Sequence, residues 1–400
     1  MEWVIKPLGE LVTFERGLTY SKSDEAEYSS NGVLRSNNVD LETNSLNLGE
    51  IKYLNADFII PSSKKVVRNS LLMCMSNGSK SHLGKVALIE DDLDYAFGGF
   101  MGLLKPIETV ILPRYLYYSL ISPAYKKHIQ SLSDGANINN LKYKDLSLFP
   151  VMLPMSLSEQ QRIVDILDAE FAKIDALKEN TEKNLQNAKD LFQAVLRKEL
   201  EPKEGWNTAS LSELYDVRDG THDSPKYVST GYPFVTSKNL KNGEIDMSDV
   251  KYISKADFDK INERSKVDKG DVLFAMIGSN LGHPALVVDE PQYAIKNVAL
   301  FKVPTNMSGL LLTYLLSSDI VMNKVNKEKN GSSQPFVSLK YLRNFIVSVP
   351  KTLKEQEELA SAIKQQDIRC QTIIDHYYKT CLLCNDLKQA LLRKAFNGEL

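Results

Sequence analysis

Four hundred residues are too many for one ordinary hydrophobic core and point to two to four domains. A composition of 43% hydrophobic and 25% charged residues is that of a globular chain in water, and no apolar run approaches the ~18 residues of a membrane span. The net charge of −2 excludes a strongly basic chain that grips nucleic acid unaided, and residues 1–154, 155–204, 205–351 and 352–400 carry −1, −3, +2 and 0.

The first residues, Met1 to Lys6, lack the basic and apolar regions of a signal peptide, so the expectation is a cytoplasmic protein. Residues 1–155 alternate short β-like runs (Val33–Ser36, Ser70–Met75, Lys85–Ile89) with loops rich in Gly, Asn and Ser, and a helical stretch follows from Pro113. Gly135 opens a polar loop, and Phe149–Pro154 reads as a closing strand. From Ser156 to Leu200 there is no Gly or Pro, which predicts one helix of roughly 65 Å.

The pattern then starts again. Phe234–Ser237, Asp271–Met276 and Ala285–Val288 are the β-like runs, a helix is predicted from about Ser308, Gly331 opens the loop, and Phe345–Pro350 closes the module. Thr352 to Asn397 again lacks Gly and Pro. Trp3, Leu8, Glu10, Leu11 and Gly17 return 203 residues later as Trp206, Leu211, Glu213, Leu214 and Gly220. Ser156-Leu157-Ser158-Glu159-Gln160 returns 196 residues later as Thr352-Leu353-Lys354-Glu355-Gln356. An internal repeat of this length sets the architecture. Both Ser156-x-x-Glu159 and Thr352-x-x-Glu355 have capping-box spacing, which marks two helix starts.

The fold class is therefore α+β. Mixed α/β domains at 1–155 and 203–351 are separated by long helices at 156–202 and 352–400. Leu167, Ile174, Leu177, Thr181, Ala188, Leu191 and Val195 follow three/four spacing, as do Ile363, Cys370, Ile373, Tyr377, Cys384, Leu387 and Leu391. The simplest partner for each seam is the other helix, in an antiparallel coiled coil with a pseudo-twofold repeat. The competing arrangement lays each helix on its own domain.

No sequence pattern for chemistry emerges. A Gly-x-x-x-x-Gly-Lys-Ser/Thr phosphate loop, Asn-Pro-Pro-Phe/Tyr, Gly-x-Gly-x-x-Gly, Gly-x-Ser-x-Gly and His-Glu-x-x-His are all missing. Cys381 and Cys384 have metal-type spacing inside a helical pattern, with only His376 near, and read as small core residues. Binding is better supported, because reading base edges needs Arg, Lys, Asn, Gln, Ser or Thr on rigid loops. Arg35, Asn37 and Asn38 match Lys238 and Asn239 at corresponding strand ends. Asn77, Ser79 and Lys80 match Ser279 and Asn280 after the next matched strands. Thr221 and His222 follow Gly220. These twelve are the candidate DNA-contacting residues, with Lys64, Lys65, Arg68, Lys251, Lys255 and Lys260 as possible phosphate contacts. The same residue types also serve ordinary turns.

Leu157-Ser158-Glu159-Gln160-Gln161-Arg162-Ile163 and its second copy, Asp219-Gly220-Thr221-His222, Pro233–Leu240 and Gly331-Ser332-Ser333-Gln334-Pro335 together resemble the specificity subunit of type I restriction–modification systems. The first repeat departs from this, with Arg16-Gly17-Leu18-Thr19 and Gly135–Asn139 at the matching places. The resemblance implies two target-recognition domains that read two different half-sites of double-stranded DNA, and a helical pair that fixes the unread spacer. It further implies docking of two modification (methyltransferase) subunits and of restriction subunits. No cofactor is expected in this chain; S-adenosylmethionine, ATP and magnesium are expected in the partners. A coiled-coil protein scaffold without DNA, or a cryptic nuclease or methyltransferase, are the alternatives.

Overall fold

The computed structural model describes residues 2–133, 140–241, 243–328 and 335–400. The loops 135–139 and 331–334, singled out in the sequence, lie outside the described residues. The chain divides into two compact units, Met1–Thr181 with Lys379–Leu400, and Glu182–Tyr378.

In the first unit, strands Val12–Arg16, Met101–Pro106, Leu71–Cys74 and Val86–Leu88 form an antiparallel sheet in that order. Leu71–Cys74 is buried at every position, as expected for an uninterrupted apolar run covered on both faces. A second sheet orders Glu25–Ala26, Lys52–Leu54, Asn31–Leu34 and Ala96–Phe97, the last two parallel. In the second unit, Asp216–Asp219, Val298–Lys302, Val272–Ala275 and Pro284–Leu286 repeat the first sheet, and Lys251–Ile253, Tyr232–Thr236 and Ala294–Lys296 repeat the second.

Each module closes on itself. Trp3–Pro7 pairs antiparallel with Pro150–Pro154, and Asn207–Ser210 with Ile346–Val349. The chain therefore leaves each module beside the point where it entered, and a helix of 43 residues begins there: Leu157–Glu199 and Leu353–Ala395.

A buried glutamine seats each helix. Gln160 is fully buried; its Oε1 accepts the Leu112 N–H at 2.9 Å, and its Nε2 donates to the carbonyls of Val110 and Pro154, both at 3.0 Å. Gln356 repeats this with the Ser308 N–H and the Pro350 carbonyl, each at 2.9 Å. Only a carboxamide supplies an acceptor and two donors at one place. The capping boxes are unequal. Thr352 and Glu355 bond reciprocally, through Thr352 N–H to the carboxylate at 3.1 Å and Glu355 N–H to the hydroxyl at 3.3 Å. At the first helix only the Ser156 hydroxyl caps, at 3.4 Å, because the Glu159 carboxylate turns to Arg162. The capping box expected at Ser156 is therefore half formed.

Within the first unit the two long helices run antiparallel. Ile163, Val164 and Leu167 share a core with Leu392 and Ala395, while Asp175 bonds Lys388 further along. The second unit's core joins Leu196 and Leu200 to Ala360 and Ile363. Both packings expected as rivals thus occur together, since each core also contains the module's own side chains, such as Leu8 and Tyr115 in the first and Leu211 and Phe301 in the second.

Every seventh residue is buried along the first helix: Gln160, Leu167, Ile174, Thr181 and Ala188. Phe171, Leu185 and Phe192, four residues after these, are half-buried. Leu177, Leu191, Ile373 and Leu387, expected in the seam, are 42–54% exposed. A pair of helices covers only a narrow stripe, and here that stripe is completed on the i+4 side rather than the i+3 side.

Replacing Gln160 by alanine strands one buried N–H and two carbonyls, and is expected to lower unfolding free energy by about 2–4 kcal/mol in a urea titration. Gln161→Ala, on the exposed face, is the control, with a change within about 0.5 kcal/mol.

Candidate nucleic-acid interface

Each module crosses its two sheets at a glycine. The Gly17 N–H donates to the Met101 carbonyl at 3.2 Å, and the Gly220 N–H to the Val298 carbonyl at 2.9 Å. A Cβ at Gly17 would lie 1.9 Å from the Gly98 carbonyl oxygen, and one at Gly220 would lie 2.4 Å from that of Ile295. Only glycine tolerates this approach. The dissimilar texts Arg16-Gly17-Leu18-Thr19 and Asp219-Gly220-Thr221-His222 thus build the same crossing.

Beside each crossing lies an open groove. The first, of about 930 Å³, is lined by Arg35, Ser36, Asn37, Asn77, Gly98 and Phe100 among others. The second, of about 890 Å³, is lined by Lys238, Lys251, Gly278, Ser279, Asn280 and Lys296 among others. The matched strand residues Leu34 and Val235, and the matched strand ends Cys74 and Ala275, lead into these loops. The two grooves are equivalent in place and different in chemistry.

In the first groove the Arg35 guanidinium stands 4.0 Å from the Glu50 carboxylate, and its buried Nε has no hydrogen-bond partner. Burial holds the Tyr20 hydroxyl above its ordinary pKa, so it remains a neutral donor on the groove wall. Asn37 is exposed. Asn77 donates to the Ser36 hydroxyl at 2.8 Å and accepts the Ser79 N–H at 2.9 Å, which fixes its loop. In the second groove Lys238 and Ser279 are exposed, and Asn280 donates to the Leu240 carbonyl at 3.2 Å. Lys251 lies 4.4 Å from the centroid of the Tyr227 ring.

Other sequence candidates are buried, bonded to their own loops or in other pockets. Asn38 is 1% exposed, and Asn239, in the wall of the second groove, 5%. Asn38 accepts the Arg35 N–H and donates to the carbonyls of Asn47 and Glu50, all at 2.8 Å. Asn239 does the same for Thr236, Asp246 and Asp249 at 3.0–3.1 Å. With their carboxamides committed to the loop, these two have no group left for a base. Ser79 pairs with the Ser81 hydroxyl at 2.9 Å, and Lys80 lines a separate cavity of about 450 Å³ with Lys85, Tyr125 and Lys126. Thr221 accepts the Asp223 N–H at 3.1 Å and lines a small pocket with Arg264. His222 bridges Asn297 at 2.8 Å and Asp219 at 3.0 Å, so both ring nitrogens have partners at the groove's edge. Of the possible phosphate contacts, Lys251 lines the second groove, while Lys64, Lys65 and Lys255 pair with Glu15, Asp94 and Asp259.

Residue type alone did not mark Lys296 or Phe100. The signal that leads to Phe100 is the Gly98-Gly99 dipeptide before it. Among the described residues no cluster of His, Cys, Asp or Glu is arranged to hold a metal ion, and no helix is long and apolar enough to cross a membrane.

Two repeated modules with equivalent grooves, each continued by a long helix, define a duplicated two-module protein. The family model described as the type I restriction modification DNA specificity domain matches residues 1–187 and again 203–378. The chain is 28% identical to the type I restriction enzyme EcoKI specificity subunit of Escherichia coli (strain K12), over all of this chain and 89% of that one. It is 26% identical to the StySPI specificity subunit of Salmonella potsdam over the same shares. Two solved structures share the fold. One is a chain from a type I R-M system, with a TM-score of 0.76, 18% identity and coverage of 100% and 98%. The other is the HsdS subunit from Thermoanaerobacter tengcongensis, with a TM-score of 0.52, 17% identity and coverage of 100% and 97%. The chain belongs to the DNA specificity subunits of type I restriction–modification systems.

Asn239→Ala is expected to cost about 1–3 kcal/mol of stability, because it leaves the Thr236 N–H and two carbonyls without their side-chain partner. Lys238→Ala, one residue away and exposed, is expected to change it by less than about 0.5 kcal/mol. Thermal unfolding of the two variants checks the contrast.

Proposed function

We propose that residues 1–155 read one half-site of a bipartite DNA target and residues 205–351 read the other, and that this chain itself carries out no chemistry. The observation that carries this reading is the pair of equivalent grooves with unlike linings. The first offers an arginine fork with carboxamides, a set suited to guanine and adenine edges. The second offers three lysines with Ser279 and Asn280, a set weighted toward phosphates and guanine. Unlike linings imply an asymmetric target.

The net charge of −2 argues for shared work. Phosphate contacts dominate affinity for a duplex, and this chain has no excess of positive charge to make them. Two modification subunits, holding S-adenosylmethionine, and restriction subunits, using ATP and magnesium, would supply those contacts and the chemistry. The long helices are the docking surface this reading assigns to them. In the first unit Leu177, Leu382, Leu383 and Leu387 are 49–63% exposed, and in the second Leu191, Ile368 and Tyr378 are 54–59% exposed. Large apolar side chains left exposed along the helices suit a protein partner.

The deciding experiment is a genome-wide map of methylated adenines with and without this gene. A bipartite motif that vanishes with the gene is expected, and exchanging residues 1–155 for another family member's first module should rewrite one half of it only. A motif unchanged by deletion, or rewritten in both halves, overturns the reading. Leu383→Asp should reduce co-purification of the modification subunit severalfold while leaving the circular-dichroism melting curve unchanged.

A further inference from the structure

Phe100 is 71% exposed on the rim of the first groove. Its backbone is held firmly. The Phe100 carbonyl accepts the N–H groups of Met75 at 2.9 Å and Ser76 at 3.1 Å, and the Met101 N–H closes the turn onto the Gly98 carbonyl at 2.8 Å. Gly98 is itself tied by its N–H to the Leu34 carbonyl at 2.9 Å and packs against Gly17. The ring therefore projects from a rigid turn, where an exposed aromatic surface gains nothing for the folded chain in isolation.

The second module treats the same place differently. Between the matched positions Phe97/Ile295 and Met101/Val298 it carries Lys296 and Asn297 where the first has Gly98, Gly99 and Phe100, and the Asn297 side chain is engaged with His222 at 2.8 Å. The ring is thus a property of one groove, as a determinant of one half-site must be. Its neighbours are Arg35, with its buried Nε lacking a partner, and the polar side chains of Asn37 and Asn77. Arginine and carboxamides read hydrogen-bonding edges in the major groove. The one feature there that they cannot read is the C5 methyl group of thymine, which needs an apolar contact.

We propose that Phe100 is a specificity-determining residue of the first module, packing its ring against a thymine C5 methyl group in the half-site read by residues 1–155. It discriminates thymine from cytosine at one position by apolar contact rather than by hydrogen bonding. This inference rests on the reading of the first groove as a DNA interface.

The test uses the full chain assembled with its modification subunits, on duplexes of the mapped target in which each thymine in turn is replaced by deoxyuridine, which lacks only the methyl group. Removing one buried methyl from a contact is expected to weaken binding about fourfold. One thymine of the first half-site should show that loss in the wild type and show none in Phe100→Ala. Phe100→Leu, which keeps an apolar contact, should retain part of it. Deoxyuridine effects in the second half-site should be the same in all three proteins. The proposal is overturned by a first half-site without thymine on either strand, by a deoxyuridine penalty that persists in Phe100→Ala, or by a Phe100→Ala chain that fails to assemble with the modification subunits, which would make the ring a protein contact. A wild-type complex that binds no bipartite duplex instead overturns the DNA-interface reading itself.

Discussion

A single buried carboxamide decides how each module is joined to its helix. Gln160 and Gln356 sit at the fourth residue of a helix, fully enclosed, and bond to the chain that leads into the module's own helices and to the proline that ends its closing strand. One side chain satisfies three backbone polar groups at Gln160 and two at Gln356, so the geometry tolerates little deviation. The junction fixes where each helix of 43 residues starts, and core packing by Ile163, Val164 and Leu167 in one and Ala360 and Ile363 in the other carries its direction onward. The apolar seam follows from it, because Leu167 and Ile363 lie two turns beyond the glutamines on the same face.

The second organising constraint is the close passage at Gly17 and Gly220. It brings the ends of two sheets together and leaves a groove beside them, so that the scaffold of the groove is independent of what lines it. Asn38 and Asn239 belong to the scaffold, each holding a loop by the same three bonds. Arg35, Asn37 and Phe100 on one side, and Lys238, Ser279 and Lys296 on the other, belong to the lining. A module built this way can change its lining without disturbing its fold.

Some of the candidate residues line the grooves and others hold the loops, and in the sequence both have the same appearance for one reason. Matched positions in a repeat carry both the scaffold and the reader, and a sequence does not separate them. Asn37 and Asn38 are the same residue type side by side, yet one is exposed and the other is 1% exposed. His222 drew notice through its motif, but its ring bridges Asp219 and Asn297 across the crossing. Phe100 is not marked by its residue type, because an aromatic side chain ordinarily means core. Leu177 and Leu191 satisfied the apolar spacing of a helix, and only the position of the partner helix reveals that they face outward.

The sequence by itself determined the duplication, the two helix starts, the closing strands and the family, because these depend on local spacing, on residues that start or stop helices, and on text that recurs. Tertiary structure alone decided which of two adjacent polar residues faces the groove, which apolar stripe is covered, and that both helices contribute to each core. Those outcomes depend on contacts between residues distant along the chain, Gly17 with Gly98 or Leu167 with Leu392, and local residue pattern does not encode such distances.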